Sequence, residues 1–327
     1  MPSNAKKKVT STASRAKKSA GKTVYSYLGP AGTFTELALA SVPGAKGAVR
    51  KPVLSVTDAL ADVLSGKSYR AVVPVESSVE GGVSATLDAL ATTAGLRIFG
   101  EYLVNVNFNL VTRPGVKLAD VKTIAAHPVA YAQTRKWLSA NIKGHRHLIA
   151  SSNSAAAADL FADERIDAAV STPNIGDHYK VKVLARSIAD NRHAQTRFIE
   201  VGKPGAQPAR TGSDKTSIIV ELPTDRPGAL LEMLEQFAAR GVNLSRIESR
   251  PIGDRLGRYR FNIDLQGHIE DAAVAEALMG LHRFSPNLVF LGSYPRADRQ
   301  KSVHLGNNSN TEFASAEAWL RTIRAGR

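Results

Sequence analysis

Residues 191 to 198 read Asn-Arg-His-Ala-Gln-Thr-Arg-Phe, and Thr196-Arg197-Phe198 sets a hydroxyl, a guanidinium and an aromatic ring side by side. A hydroxyl can pass a proton or a hydrogen bond to a departing group, and a guanidinium can grip a carboxylate through two parallel N–H donors. Three upstream segments carry groups that packing alone does not require. Gly29-Pro30-Ala31-Gly32-Thr33-Phe34-Thr35 joins glycines, which let a backbone approach closely, to a helix start whose free N–H groups favour an anion. Pro74 to Val83 holds Glu76, Ser77, Ser78, Gly81 and Gly82 and runs on to Thr86, which puts a carboxylate and hydroxyls at the end of a buried strand. His127-Pro128 precedes Gln133 and Trp137, which at a spacing of four would share a helical face and hold an amide above an aromatic base.

The same inventory excludes several chemistries. The 327 residues include no cysteine, so disulfides, thiolate nucleophiles and zinc–thiolate sites are ruled out, which fits a reducing compartment. No His and acidic residues have zinc or facial-triad spacing, and no phosphate-loop or complete dinucleotide fingerprint occurs, so neither metal nor cofactor is expected. No apolar run reaches the roughly 18 residues of a membrane span. The net charge of +14 invites a nucleic-acid reading, yet half of it comes from Lys6, Lys7, Lys8, Arg15, Lys17, Lys18 and Lys22. That first stretch, 1–22, contains no acid and too little apolar material for a core, and reads as a disordered basic tail. The remaining excess suits small anions better than a groove reader, so no specific nucleic acid is expected.

The elements that must position these groups follow from periodicity. From Val24 onward, short apolar strands alternate with amphipathic helices: a strand at 24–28, a helix from the Thr33/Glu36 capping-box pair to about 41, a helix at 56–64 and a buried strand at 71–75. A helix at 84–93, strands at 104–111 and 123–126, a single helix at 129–140, a helix at 155–162 and strands at 168–171, 183–187 and 197–201 continue the style. This is an α/β pattern, read as two lobes with a cleft between them and the second lobe at about 101–180. Ligands in such folds sit at the carboxyl ends of strands and at helix starts. The Gly- and Pro-rich stretch 202–215 reads as a linker. Beyond it, 216–295 spells βαββαβ, a ferredoxin-like unit, and 296–327 is a polar tail with a short helix near 314–324.

Six segments in order, GPAGTFT, PVESSVEGGVSATLDAL, HPVAYAQTRKWL, TRF, PGALL and ESRP, resemble the prephenate dehydratase family across about 270 residues. The resemblance implies a bilobal, periplasmic-binding-protein-like catalytic domain at 23–201 and a regulatory ACT domain at 216–295 that senses phenylalanine. The implied reaction is decarboxylation and dehydration of prephenate to phenylpyruvate, CO2 and water, a hydro-lyase step in phenylalanine biosynthesis that needs no cofactor. Thr196 is then the donor to the leaving hydroxyl, with Glu76 as rival general acid and Gln133 beside them. Arg197, Phe198, Gly29, Gly32, Thr33, Ser77, Ser78, Gly81, Gly82 and Thr86 would bind the substrate. Pro227, Gly228, Ala229, Leu230 and Leu231, with Glu248, Ser249, Arg250 and Pro251, would hold phenylalanine, Glu248 taking its ammonium. A cytoplasmic homo-oligomer, dimer or tetramer, is implied. The chain departs from the family at Ser77 and Ala126, where Asn and Ser are usual, and near His193 and Ala194, where an Asn is missing. Those departures read as a subfamily variation; an arogenate dehydratase and a catalytically silent amino-acid sensor are the rival readings.

Overall fold

In the computed structural model, which describes residues 22–253, 257–301 and 307–326, the first lobe is β1 (Val24–Leu28), α1 (Phe34–Ala40), β2 (Val49–Val53), α2 (Val56–Ser65), β3 (Arg70–Ser77), β4 (Gly81–Gly82), α3 (Ser84–Thr92) and β5 (Arg97–Asn105). The second lobe is β6 (Asn109–Thr112), β7 (Thr123–Ala126), α4 (Pro128–Ala132), α5 (Arg135–Asn141), β8 (Arg146–Ile149), α6 (Asn153–Ala162), β9 (Ala168–Ser171) and β10 (Lys182–Ala185). The chain then returns to the first lobe as β11 (Gln195–Gly202). The third unit is β12 (Asp214–Glu221), α7 (Ala229–Ala238), β13 (Leu244–Pro251), β14 (Tyr259–Gln266), α8 (Ala272–Phe284) and β15 (Leu288–Pro295), followed by α9 (Asn310–Arg324). The stretch 1–21, and with it the expected basic tail up to Lys22, lies outside the described residues.

Each unit has its own sheet, in the orders β2-β1-β3-β11-β5, β10-β6-β9-β7-β8 and β13-β14-β12-β15. The lobe boundary therefore differs from the expected 101–180: residues 101–105 pair with β11 in the first lobe, while β10 belongs to the second. The strand expected at 104–111 is two strands, because the chain leaves one sheet after Asn105 and enters the other at Asn109. The helix expected at 129–140 is also two. Thr134 has φ −124° and ψ 3°, and its hydroxyl donates back to the Ala130 carbonyl, closing the first segment. The Asp190 carboxylate then accepts from the Lys136 and Trp137 amides and starts the second. Gln133 and Trp137 are thus not on one continuous helix. Strands β2 and β8 escaped the sequence reading because both are polar edge strands. The β2 segment Val-Arg-Lys-Pro-Val contains a proline of the kind tolerated at sheet edges.

The 202–215 segment does not hold the third unit at a distance. One face of its sheet carries α7 and α8 over Ile218, Val220, Phe261, Ile263 and Leu265. Ile219, Leu291 and Tyr294 on the other face join Val56, Leu60, Val73, Leu90, Ile98, Ile199 and Val201 of the first lobe in one continuous core. No described helix is long and apolar enough to cross a membrane.

Backbone meets backbone in this docking at Gly292, with φ 142°, where an added Cβ would fall on the Ile98 carbonyl of β5. Backbone and overlap penalties combine there, so Gly292→Ala is expected to destabilise the protein by about 2–3 kcal/mol, read as a lowered urea midpoint.

Candidate active site between the lobes

Strand alternation decides what β11 can offer. Thr196 and Phe198 lie on the face covered by α1, where Phe198 packs with Tyr27, Leu39 and Val72. Arg197, Ile199 and Val201 lie on the face toward the third unit. Thr196 pairs across the sheet with Ser77 on one side and Val104 on the other. Two segments 120 residues apart are thereby brought together, as expected. The Ser78 amide donates to the Gln195 carbonyl at 2.9 Å, and the Gln195 amide donates to Ser78 Oγ at 2.9 Å. Ser77 Oγ accepts from the Val79 and Glu80 amides, which shapes the turn into β4. The half-buried Thr196 hydroxyl makes no hydrogen bond among the described residues.

Arg197 and Glu76 are placed differently from expectation. The register jumps between Arg197↔Glu76 and Phe198↔Pro74, leaving Val75 as a bulge that turns Glu76 to the Arg197 side. Arg197 is 6% exposed; Nε donates to Glu101 at 2.6 Å, Nη1 to Asp264 at 2.5 Å and to Glu76 at 3.3 Å, and Nη2 to Tyr294 OH at 2.8 Å. Four of the five N–H donors of this buried guanidinium are thus engaged within the protein, which leaves no pair of parallel donors for a substrate carboxylate. Glu76, ion-paired on the same face, is likewise turned away from Thr196. Burial alone would raise the Asp264 carboxyl; Arg197, Lys215 and Arg246 outweigh it and bring it from 3.8 down to about 2. Burial, with Asp264 and Glu101 nearby, pushes the Tyr294 phenol well up, so it stays a neutral donor and acceptor.

The 29–33 loop also differs from an open anion cradle. The Gly29 amide donates to the Val53 carbonyl at 2.8 Å, and a Cβ at Gly29 would meet Pro52 at 2.7 Å. The Gly32 amide donates to Glu36 Oε2 at 2.6 Å, so a carboxylate of the chain itself already occupies this turn. Thr33 makes no capping bond with its side chain, and the expected capping box is replaced by this contact. Glu36 Oε2 also meets His178 Nε2 at 2.8 Å, and Thr172 Oγ1 donates to the Gly32 carbonyl at 2.7 Å. The loop is therefore a clasp between lobes. Thr86 is fully buried and donates to the Pro74 carbonyl at 2.5 Å, which ties α3 to β3 and removes it from any surface.

In the second lobe Gln133, which the motifs mark, is joined by Asn153 and Asn174, which they do not. Asn153 Oδ1, Asn174 Oδ1 and Gln133 Oε1 are buried and unpartnered among the described residues. Buried carbonyl oxygens call for a donor, either a hydroxyl or a water. Asn153 opens α6 and Asn174 follows β9, and Ser154 and Ile175 beside them touch the position of Gly32. Their signal was a polar residue just after a buried strand or at a helix start, where α/β folds put ligands. A cavity of about 740 Å3 lined by Lys67, Tyr69, Arg70, Phe99 and Lys203 opens at the opposite end of the first sheet and contains none of the expected site residues.

In the third unit, Gly228 starts α7 at φ 85° with open space around it, Ala229 is buried, and Leu230, Leu231 and the β13 residue Ile247 are exposed. Ser249 pairs with Phe261 and faces the α7 side. Glu248 and Arg250, alternate to it, face the first lobe: Arg250 holds Asp88 at 2.6 Å, and Glu248 pairs with Arg246 at 2.7 Å. Glu248 is therefore on the opposite side of the sheet from the α7 start where it was expected to serve.

Residues 25–206 match the family model described as prephenate dehydratase, and residues 216–283 match that of the ACT domain. A prephenate dehydratase of Mycobacteroides abscessus is 44% identical over 307 residues, covering 92% of this chain and 98% of that protein. The crystal structure of Arthrobacter aurescens prephenate dehydratase in complex with L-Phe superposes with a TM-score of 0.88 at 52% identity, covering 92% of this chain and 99% of that one. A protein described as a novel type of quorum quenching acylase superposes at 0.76 with 29% identity, over 85% of this chain and all of that one.

Arg197→Met would leave Glu101 and Asp264 charged, buried and short of a partner, with an expected loss of about 3–5 kcal/mol in urea unfolding. Asp264 has a depressed folded-state value, so its contribution is present above 3.8 and is lost as pH falls toward about 2. Melting temperatures across that window should fall more steeply for the unaltered chain than for Asp264→Asn.

Proposed function

The chain belongs to the prephenate dehydratase family, and from that premise we propose that it converts prephenate to phenylpyruvate, CO2 and water under feedback control by phenylalanine. The observation that carries the reading is the pairing of Thr196 with Ser77 at the junction of the lobes, where the Thr196 hydroxyl has no partner among the described residues. In the reaction, the bond from the ring to its carboxylate breaks and its electron pair enters the ring. The ring hydroxyl departs with a proton as water, and the ring becomes aromatic. Thr196 is proposed to hydrogen-bond that hydroxyl, the step in which a positioned donor counts. With Arg197 and Glu76 committed elsewhere, the substrate is proposed to be held by hydroxyls and amides: Ser77, Ser78, the Gly81 backbone, and the amide side chains of Gln133, Asn153 and Asn174. Orientation then supplies much of the rate, since both bonds break within one molecule.

Regulation by phenylalanine is supported by the ACT match and by the L-Phe complex of the Arthrobacter relative. The exposed Leu230, Leu231 and Ile247, on and beside the edge strand β13, support a homo-oligomer in which a second copy covers that edge. We place the reaction in the cytoplasm, in keeping with a chain without cysteine.

Purified protein given prephenate should release phenylpyruvate, followed by its absorbance in alkali, and added phenylalanine should slow it. Absence of turnover would leave an amino-acid sensor as the reading, and turnover of arogenate in preference to prephenate would reassign the substrate. Thr196→Ala is expected to lower kcat by about 10²–10³-fold with unchanged circular dichroism, while Thr196→Ser keeps most of the activity.

A further inference from the structure

Gly81 and Gly82 are adjacent glycines kept for different physical reasons. Gly81 has φ 81°, a left-handed conformation that favours glycine whatever surrounds it. Gly82 has an ordinary backbone, and a Cβ there would fall inside the Glu248 carboxylate of β13. The second glycine thus makes room for a side chain delivered by the third unit.

Glu248 is held in that place by Arg246, which is itself anchored among carboxylates of both units. Arg246 Nη2 grips its Oε2 at 2.7 Å, and Arg246 Nε also reaches Glu76 Oε2 at 4.0 Å while its Nη1 reaches Asp264 Oδ2 at 3.9 Å. Across the first lobe, Gly82 pairs with Glu76 and Gly81 pairs with Ser77, and Ser77 in turn pairs with Thr196. A displacement of Glu248 therefore reaches the Thr196 hydroxyl through two steps of strand pairing. At its other end the path reaches β13, the strand that presents Ile247 and Ser249 to the α7 side where Gly228, Leu230 and Leu231 are open.

We infer that Glu248 is a positioning residue for the cleft, and that its contact with Gly82 transmits occupancy of the α7 and β13 surface to Ser77 and Thr196. The inference rests on the reading of the chain as a phenylalanine-regulated dehydratase. A ligand on the α7 side shifts the balance only if it binds one placement of β13 better than another. The Glu248 carboxylate, seated on a backbone without a side chain, is the part of β13 that lies against Gly82.

The test separates transmission from direct binding. In Glu248→Ala the concentration of phenylalanine giving half inhibition should rise about tenfold or more, while phenylalanine binding, measured by equilibrium dialysis, shifts by less than about threefold. Loss of binding in step with loss of inhibition would make Glu248 a ligand of the effector and overturn the inference, as would inhibition that is unchanged. Glu248→Gln keeps the shape over Gly82 and loosens only Arg246, so it should retain more of the inhibition than the alanine variant; equal loss in both would count against seating on Gly82. The contact is also readable without turnover. Melting shifts of Gly82→Ala and Glu248→Ala should fail to add in the double variant by about 2 °C or more, because removing the carboxylate opens the space that the new methyl needs. Additive shifts would overturn the contact itself. If the unaltered protein neither turns over prephenate nor responds to phenylalanine, the dehydratase reading falls and the transmission with it, while the melting cycle still reports on the contact.

Discussion

The alignment of the catalytic lobes with the regulatory unit depends on one buried cation. Arg197 leaves the first lobe's sheet and meets Glu101 of its own sheet together with Asp264 and Tyr294 of the third. Lys215 adds a second positive charge on Glu101 at 2.8 Å, and Ser217 hydrogen-bonds both Asp264 and Tyr294. Burying so many charges is expensive, and their mutual attraction offsets the loss of water only while the geometry is kept. Such a cluster adds little net stability over an apolar core, but it tolerates one alignment of the two sheets. The apolar residues around it, Ile199, Ile219, Leu291 and Val201, supply the burial.

The cleft between the lobes is shaped by contacts of another kind. The chain crosses between the lobes twice, before β6 and before β11, and the 29–33 loop touches the second lobe through Glu36 with His178 and through Gly32 with Thr172. These bonds lie across the division of the two cores, so their making and breaking is coupled to how the lobes sit. The hydroxyls of Thr196 and Ser77 stand on the first lobe, and the unpartnered amides of Asn153, Asn174 and Gln133 stand on the second.

Both faces of the regulatory sheet are in use, which is what gives its β13 strand two jobs. Alternation sends Arg246, Glu248 and Arg250 to the catalytic lobe, onto Glu76, Gly82 and Asp88, and Ile247 and Ser249 to the opposite side. A four-residue motif that reads as one ligand-binding unit is therefore split between the α7 side and the side of the first lobe. The same split occurs in β11, where neighbouring Thr196 and Arg197 lie on the α1 face and on the face of the domain interface.

Much of this molecule is legible in its sequence. Hydrophobic periodicity marked most strands within one or two residues, the βαββαβ order of 216–295 was visible, and ordered motifs pointed to Thr196 and the Glu76–Gly82 segment as neighbours. Those features are local, carried by spacing and by residues with restricted backbones. The tertiary structure alone decided which way the side chains point. A single bulge at Val75 reverses Glu76, the carboxylate of Asp190 from a distant segment divides α4 from α5, and Glu36 fills the turn that looked ready for an anion. Each of these depends on a partner far away in the chain, whose position the local pattern does not encode. Residue types and their spacing thus determined to which family the chain belongs and that an ACT domain follows. Register and burial, which exist only once strands have paired, determined that Arg197 joins the two units while Thr196 is left free for the cleft.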